Sequence, residues 1–378
     1  MPAFTNQHVL STVNNYLIPH FERVSSDLTK RERLLFAKMG ADGRIKLNSA
    51  SAEIRLPAHW KESTPVNFTA GSVMTYSPVD RLTHFVFNLA TYGNTDMITH
   101  LEEALAKGPD ALVDRAGEIL TKLGEDLAKT LGADLYIDGY ASGNEHKLLG
   151  LNSYSGTGTT VVGDIVAKPD DSYGGRDTDV GSYAGTWSTN LTGSAIPNAS
   201  IATDWPWGKG STQYDHNSPK LFNWSSTAWP SGASNAFINT AAYTIRAMIT
   251  ALSRLGGRAD KPTLVIMSSK MFVDFKNLMD DAFRNLLPHE EARDLGFPTD
   301  VLNYDGLMVT SDYDCPDNEL HMINTNKLEW HSAMPELIWS IPPAYESGNL
   351  SKNYIVGHYG QLVGWCKFQG KAKNYAAS

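Results

Sequence analysis

The stretch IRAMITALSRLGGRADKPTLVIMSSKMFVDF, Ile245 to Phe275, changes its period twice within 31 residues. With the residues just before it, Ile238, Ala242, Ile245, Ile249 and Leu252 recur every three or four positions, which is the spacing of one helical face. Gly256-Gly257 supplies the stop. PTLVIM is short and continuously apolar, the pattern of a strand buried on both faces. Ser268 or Ser269 then stands as the N-cap of a second helix over Met271 to Leu286. A helix, a buried strand and a helix in succession predict mixed α and β packing.

Downstream, GLMVT, ELHMIN, ELIWSI and NYIVGHYGQLVGWCKF read as strands. SDYDCPDNE, Ser311 to Glu319, is expected to be a solvated hairpin turn joining the first two. Its acids could face a hard cation, but it lacks the glycine and distal Glu of a calcium loop. Upstream, residues 151–232 are rich in Gly, Ser, Thr, Asn and Asp yet hold Trp187, Trp205, Trp207, Trp224 and Trp229. Such an aromatic load predicts an ordered, loop-rich region pinned by anchors.

Before that region the period is helical. Met97, Leu101 and Leu105 are followed by Leu112, Ala116, Ile119/Leu120, Leu123, Leu127 and Leu131, with a break at Gly108-Pro109 and a stop at Gly132. Asp96 to Leu131 carries eight acids and four bases, whereas the first 44 residues carry six bases and four acids. The two could attract one another, within or between subunits. RIKLNSASAEIRLP and RLTHFVFNLATY have period-two patterning and place Ile45 and Leu47, then Phe85, Phe87 and Leu89, on one face. With the polar connection Trp60 to Pro78 between them, they predict a protruding β-arm. A two-stranded ribbon is marginal alone in water, so its apolar face is expected to pack on something else.

Composition excludes several function classes. The 378 residues are 42% hydrophobic and 10% aromatic, enough for one large or two medium cores. A net charge of -9 is a poor match to nucleic acid, whose phosphates need clustered Lys and Arg. Two cysteines, Cys315 and Cys366, allow no disulfide framework and no thiolate zinc site, and point to a reducing compartment. MPAFTNQHVL has no charged leader before an apolar stretch, so no secretory signal is expected. The longest charge-free run, Leu221 to Ile245, is too interrupted to span a bilayer.

No catalytic pattern survives inspection. DWPWGKGSTQYD, Asp204 to Asp215, contains Gly-Lys-Gly-Ser-Thr. A phosphate loop needs GxxxxGK[ST] between a strand and a helix, and here Thr203 and Gly210 occupy the positions of the first Gly and of the Ser or Thr. The eleven histidines are scattered, with no His-Glu-x-x-His helix and no Gly-x-Ser-x-Gly elbow. DSYGGRDTD, Asp171 to Asp179, offers carboxylates beside tryptophans, which leaves a loop-rich carbohydrate-active enzyme or lectin as an alternative. No cofactor or metal is expected.

A basic arm, a β-arm, a long acidic helix, an aromatic-pinned region and terminal strands remain. This order resembles the major capsid protein of tailed bacteriophages, whose shell fold is shared with encapsulins and the herpesvirus capsid floor. The resemblance rests on Gly150-Leu151-Asn152-Ser153 after the long helix, on Tyr173-Gly174-Gly175 and Trp187, and on the Ile245 to Phe275 stretch. NELHMINTNKLEWHSA and NYIVGHYGQLVGWCKFQGKA complete it. The spacing from Asn152 to Tyr173 is longer here than is usual in the family.

The resemblance implies an α+β tailed-phage major capsid (Johnson) fold with an N-terminal arm, an extended β-arm, a peripheral domain with a long spine helix, and an axial domain. The implied bounds are 1–41 for the N-terminal arm, 42–92 for the β-arm, 93–139 with 320–362 for the peripheral domain, and 140–319 with 363–378 for the axial domain. It implies self-assembly as pentamers and hexamers into an icosahedral head shell around double-stranded DNA that is not bound tightly, in a virion built in the bacterial cytoplasm. An encapsulin-like compartment shares the fold. Portal and decoration proteins are implied partners, and with only 41 residues before the β-arm, scaffolding is expected from a separate protein. Expected inter-subunit contacts are Ile45, Lys46, Leu47, Trp60, Phe85 and Phe87 on the β-arm, and Glu346, Asn349 and Lys352 around SIPPAYESGNLSKNY. There Glu346 of one chain would face Lys352 of the next about three-fold axes. Some relatives cross-link a β-arm lysine to an asparagine, for which Lys46 or Lys61 with Asn349 or Asn353 would correspond.

Overall fold

The structure is a computed structural model that describes residues 33–49, 53–59, 65–73, 82–105, 109–155, 161–162, 165–166, 172–177, 219–225, 236–253, 260–282, 301–346 and 351–374. The chain forms two compact units, each from three stretches. The first takes Met1–Ala52, Asn88–Leu149 and Glu329–Val363, and the second Glu53–Phe87, Gly150–Leu328 and Gly364–Ser378.

Down the chain, α1 (Leu34–Ala41) and β1 (Ile45–Lys46) precede the ribbon strands β2 (Glu53–His59) and β3 (Leu82–Asn88). Then come β4 (Ala90–Thr99), α2 (His100–Leu105), α3 (Pro109–Asp134) and α4 (Leu151–Ser155). β5 (Val161–Val162) pairs with β6 (Ile165–Val166), and β7 (Ser172–Tyr173) with β8 (Arg176–Asp177). β9 (Lys220–Asn223), α5 (Phe237–Ser253), β10 (Leu264–Met267) and α6 (Ser269–Ala282) follow. The remaining strands are β11 (Val301–Tyr304), β12 (Leu307–Ser311), β13 (Glu319–Ile323), β14 (Leu328–Ser332), β15 (Trp339–Glu346), β16 (Ser351–Gly364) and β17 (Gly370–Lys373).

In the first unit, the Ala116, Leu120, Leu123, Leu127 and Leu131 stripe of α3 packs on Ile98, Tyr354 and Val356 of the sheet and on Ile338 just before β15. The sheet runs β1-β14-β16-β15, and β4 also pairs with β16. β16 is long enough to be shared, so Ser351 to Gly357 lie between β15 and β4. β15 forms one edge and carries Pro342-Pro343 where its register shifts between Ile341 and Ala344.

Two expectations are corrected here. Met97 belongs to β4, paired with Asn353, and the strand continues to Thr99. The boundary is a capping box: Thr99 Oγ1 lies 3.4 Å from the Glu102 amide while Glu102 Oε2 accepts from the Thr99 amide at 3.1 Å. The sequence carries this signal as Thr99-x-x-Glu102. Gly132 is not a stop, because α3 runs on to Asp134. A Cβ at Gly132 would come within 2.6 Å of the Arg33 guanidinium, so the glycine admits that side chain.

In the second unit a six-stranded sheet runs β11-β12-β10-β13-β17-β9. No residue of β10 is more than 1% exposed, as its unbroken apolar run predicts. Ile245, Met248 and Leu252 of α5 and Met271 and Phe275 of α6 share one core with Val265, Met267, Val309 and Met322. Ser268 opens α6 through its carbonyl, which accepts from the Phe272 amide at 3.0 Å, while its Oγ makes no hydrogen bond. The SDYDCPDNE hairpin is overturned. β12 runs parallel to β10 on one side and β13 antiparallel on the other, so Ser311 to Glu319 carries the chain across β10.

Candidate functional site

The β-arm differs from its expected outline. RIKLNSASAEIRLP is two strands in two sheets, because Ile45 and Lys46 pair in parallel with Trp330 and His331, whereas Glu53 to His59 pair with β3. The break has a trace in the sequence: the apolar positions shift from odd (Ile45, Leu47) to even (Ile54, Leu56), so one continuous strand could not keep them on one face. On the ribbon, Ile54, Leu56 and Ala58 of β2 and Phe85 and Phe87 of β3 are buried. Phe85 and Phe87 are each 1% exposed, and their rings lie 5.9 and 4.8 Å from Tyr173 of the same chain. The apolar face that a ribbon cannot bury by itself is thus covered within the subunit.

The seat for that face is the β7–β8 hairpin. Gly174 and Gly175 have φ of +60° and +71°, the positive values that a two-residue type I′ turn requires at both central positions. At Gly174 there is also no space, since a Cβ would lie 2.7 Å from Phe85 Cβ and 2.9 Å from Phe87 Cζ. Its carbonyl accepts from the Val86 amide at 2.9 Å. The Tyr173 hydroxyl accepts from the Gly364 amide at 3.1 Å. Each residue of Tyr-Gly-Gly therefore has a part: a ring under the ribbon, a bare Cα against it, and a turn.

Beyond the ribbon, residues 65–73 are described without strand pairing. Gly71 has φ of +92°, and the Ser72 amide and hydroxyl both donate to the Thr69 carbonyl. Val66, Phe68 and Val73 are 76%, 63% and 94% exposed. No charged side chain occurs from Ser63 to Val79. The connection read as polar thus exposes three large apolar side chains among Asn67, Thr69 and Ser72, and forms an uncharged tip with an apolar component.

Ile45 is half-buried and Leu47 exposed. Lys46 Nζ lies 2.7 Å from Glu329 Oε2, and Arg44 lies 3.7 Å from the other oxygen. His331 Nε2 sits 3.1 Å from Glu329 Oε2, and its Nδ1 is 3.0 Å from Ser49 Oγ. These contacts clamp residues 44–49 to β14. The His331 hydrogen bond, with Lys46 beside it, outweighs burial and holds the Glu329 carboxyl down at about 2. The folded value being depressed, the clamp is fully effective above the ordinary carboxylate value and weakens as pH falls from there toward 2. Glu329→Gln is therefore expected to reduce the drop in thermal midpoint between pH 6 and pH 3 relative to wild type. An identical drop would show that the clamp adds no acid sensitivity.

The late connection is a hairpin of β15 and β16, with Glu346 opposite Ser351 and Tyr345 opposite Lys352. Lys352 is 7% exposed, with Ile98 of β4 on its other side. Asn353 Oδ1 accepts from Ser351 Oγ at 3.2 Å. Trp60, Lys61, Asn349, Trp187, Trp205, Trp207, Trp229 and the Gly-Lys-Gly-Ser-Thr stretch lie outside the described residues. Trp224 is an anchor as expected: it packs edge-on at 5.5 Å against Phe237 and donates from Nε1 to the Asn318 carbonyl.

One charged group escaped the sequence reading. In the second unit, buried Glu319 meets Lys371 Nζ at 3.1 Å, Lys373 Nζ at 3.2 Å and His321 Nε2 at 3.6 Å. Burial would raise the Glu319 carboxyl, but His321 and Lys371 outweigh it and keep it well below the carboxylate range. Burial pulls His321 and Lys371 down from their ordinary values. In the first unit, an open groove of about 660 Å³ beside α3 has two of its three carboxylates paired with cations, Glu102 with Arg115 and Glu118 with Lys122, while Asp96 accepts from the Met97 amide. Neither place presents a free carboxylate pair. Among the described residues no group of three His, Cys, Asp or Glu could hold a metal ion, and no helix is long and apolar enough to cross a membrane.

No protein-family model matches the sequence, and no curated protein is similar to it. Solved structures are similar. The capsid asymmetric unit of cyanophage A-1(L) superposes with a TM-score of 0.55 at 16% identity, covering 87% of this chain and 89% of that one. The capsid of the empty GTA particle, computed with C5 symmetry, gives 0.53 at 12% identity and covers 89% of each chain. The chain therefore has a capsid-shell fold. In particular it is the α+β Johnson fold of tailed-phage major capsid proteins, as the resemblance implied.

Proposed function

We infer that this chain is the repeating subunit of a tailed-phage head shell, a structural protein without catalytic activity that assembles with copies of itself as pentamers and hexamers. The tip carries this reading. Val66, Phe68 and Val73 are exposed on a segment with no charge to keep it in water, which is the composition of a surface made to be covered by protein. The similarity to phage capsid chains over 87% of the length supports it.

The domain roles follow the plan given above: N-terminal arm 1–41, β-arm 42–92, peripheral domain 93–139 and 320–362, axial domain 140–319 and 363–378. Glu346, Asn349 and Lys352 are assigned to a junction between subunits, as are Leu47 and Trp60 of the β-arm, whereas Ile45 and Lys46 pair with β14 and Phe85 and Phe87 seat the ribbon on Tyr173 of the same chain. The charge of -9 suits a container whose lining does not grip its double-stranded DNA. A separate scaffolding protein, a portal and decoration proteins are the assigned partners, and the virion, assembled in the bacterial cytoplasm, is the assigned location.

Electron microscopy of the purified protein tests the reading, with closed shells expected. Phe68→Asp with Val73→Asp should abolish shells while changing subunit stability by no more than about 0.5 kcal/mol, as for other exposed substitutions. Normal shells from that variant would remove the tip from assembly. Shells lacking nuclease-protected DNA during infection would favour an encapsulin-like compartment instead.

A further inference from the structure

The C-terminal strand β17 is four residues long, yet it lies inside the six-stranded sheet. It runs antiparallel to β13 and parallel to β9, and among the described residues β9 ends the sheet, paired with β17 alone. So short a strand has little in its backbone to fix its alignment. A one-residue slip would turn every side chain to the opposite face.

The two faces are unlike. Ala372 sits with Phe222, Leu320 and Met322 in the apolar core under α5 and α6. On the other face Lys371 is 1% exposed, with its Nζ 3.1 Å from Glu319 Oε1 and 2.8 Å from Asn152 Oδ1 of α4. Lys373 Nζ reaches the same Glu319 oxygen at 3.2 Å. We propose that this buried cluster is a register lock, in which Glu319 reads the positions of Lys371 and Lys373 and admits one alignment of the C-terminal strand.

A one-residue slip would drive both ammonium groups into the apolar core and leave Glu319 buried without its cations. A two-residue slip restores the faces, but it brings Ala372 or Phe368 to the place of Gly370. There an added Cβ would lie 3.1 Å from both Leu252 Cδ1 and Met248 Cε, so these two side-chain ends would have to give way. Charge thus rejects the odd slips, and the close fit at Gly370 disfavours the even ones. The alignment matters beyond β17, because the Trp224 amide donates to the Lys373 carbonyl and Ser225 Oγ to Asn374 Oδ1. The lock therefore also fixes where the chain leaves β9. Buried ion pairs are a weak source of stability and are best attested as specifiers of one alignment over others.

The test uses the full chain with Glu319→Leu, Lys371→Met and Lys373→Met combined, read by thermal midpoint and by amide exchange with mass detection. The expected result is a midpoint at or above wild type, with exchange in residues 220–223 and 370–373 at least about tenfold faster or split into two populations. Wild-type protection in a single population would overturn the lock. Should the triple variant fail to fold, Lys373→Met alone decides, since that side chain is 27% exposed and its loss leaves Lys371 with Glu319. Here a rise of about threefold or more in exchange of the same residues is expected, and unchanged exchange would overturn the proposal.

Discussion

Gly174→Val is expected to lift the ribbon from its seat and abolish shells while leaving the β10-centred sheet folded. The residue has φ of +60°, where a side chain costs about 1–2 kcal/mol. A β-branched side chain adds overpacking, typically about 1–3 kcal/mol, because its Cβ would fall 2.7 Å from Phe85 Cβ. The loss, about 2–5 kcal/mol in all, is concentrated on a ribbon with little else to hold it. Gly175→Ala is the control: its φ is +71°, but nothing lies within 4 Å of its Cβ position, so only the backbone cost of about 1–2 kcal/mol applies. Amide exchange of residues 82–88 and electron microscopy would read both variants. If Gly174→Val assembles as readily as Gly175→Ala, the hairpin is not what holds the arm.

Trp330→Ala should cost about 3–5 kcal/mol, the usual penalty for deleting a large buried aromatic. Trp330 is wholly buried, with Phe36 edge-on at 4.9 Å and His358 at 5.3 Å. Its loss uncovers Phe36, so α1 should exchange with solvent before the rest of the first unit does. The indole Nε1 makes no hydrogen bond, so Trp330→Phe removes volume without orphaning a partner. That variant should lie much nearer wild type in a thermal melt. Equal losses from the two substitutions would mean that the contact with Phe36 contributes little.

What was legible in the sequence was what is local. β10 declares itself because four apolar residues in a row must be covered on both faces, and α3 because its stripe recurs at helical spacing. The pairings that build the site are not local. Phe85 and Phe87 find their cover at Tyr173, far along the chain, so period two could say that they face inward but not toward what. Ile45 and Leu47 fall on odd positions and Ile54 and Leu56 on even ones, so the change of phase across SASAE marks the break between the two strands. Lys371 and Glu319 look like solvated charges one by one, and only the strand order makes them buried partners. Tyr-Gly-Gly was visible as a motif, but its necessity lies in the absence of space above Gly174, which no spacing encodes.

If the chain is the shell subunit proposed above, the interruption of β15 at Pro342-Pro343 bears on how its many copies avoid aggregating. An outermost strand offers unpaired amides to any other extended chain, and many identical copies synthesised together are the setting in which strand-to-strand aggregates grow. Two prolines remove two donors, and the shift between Ile341 and Ala344 breaks the ladder that an incoming strand would have to follow. The backbone route to strand-to-strand fibrils is thereby disfavoured at that margin, which leaves side-chain surfaces for the proposed assembly.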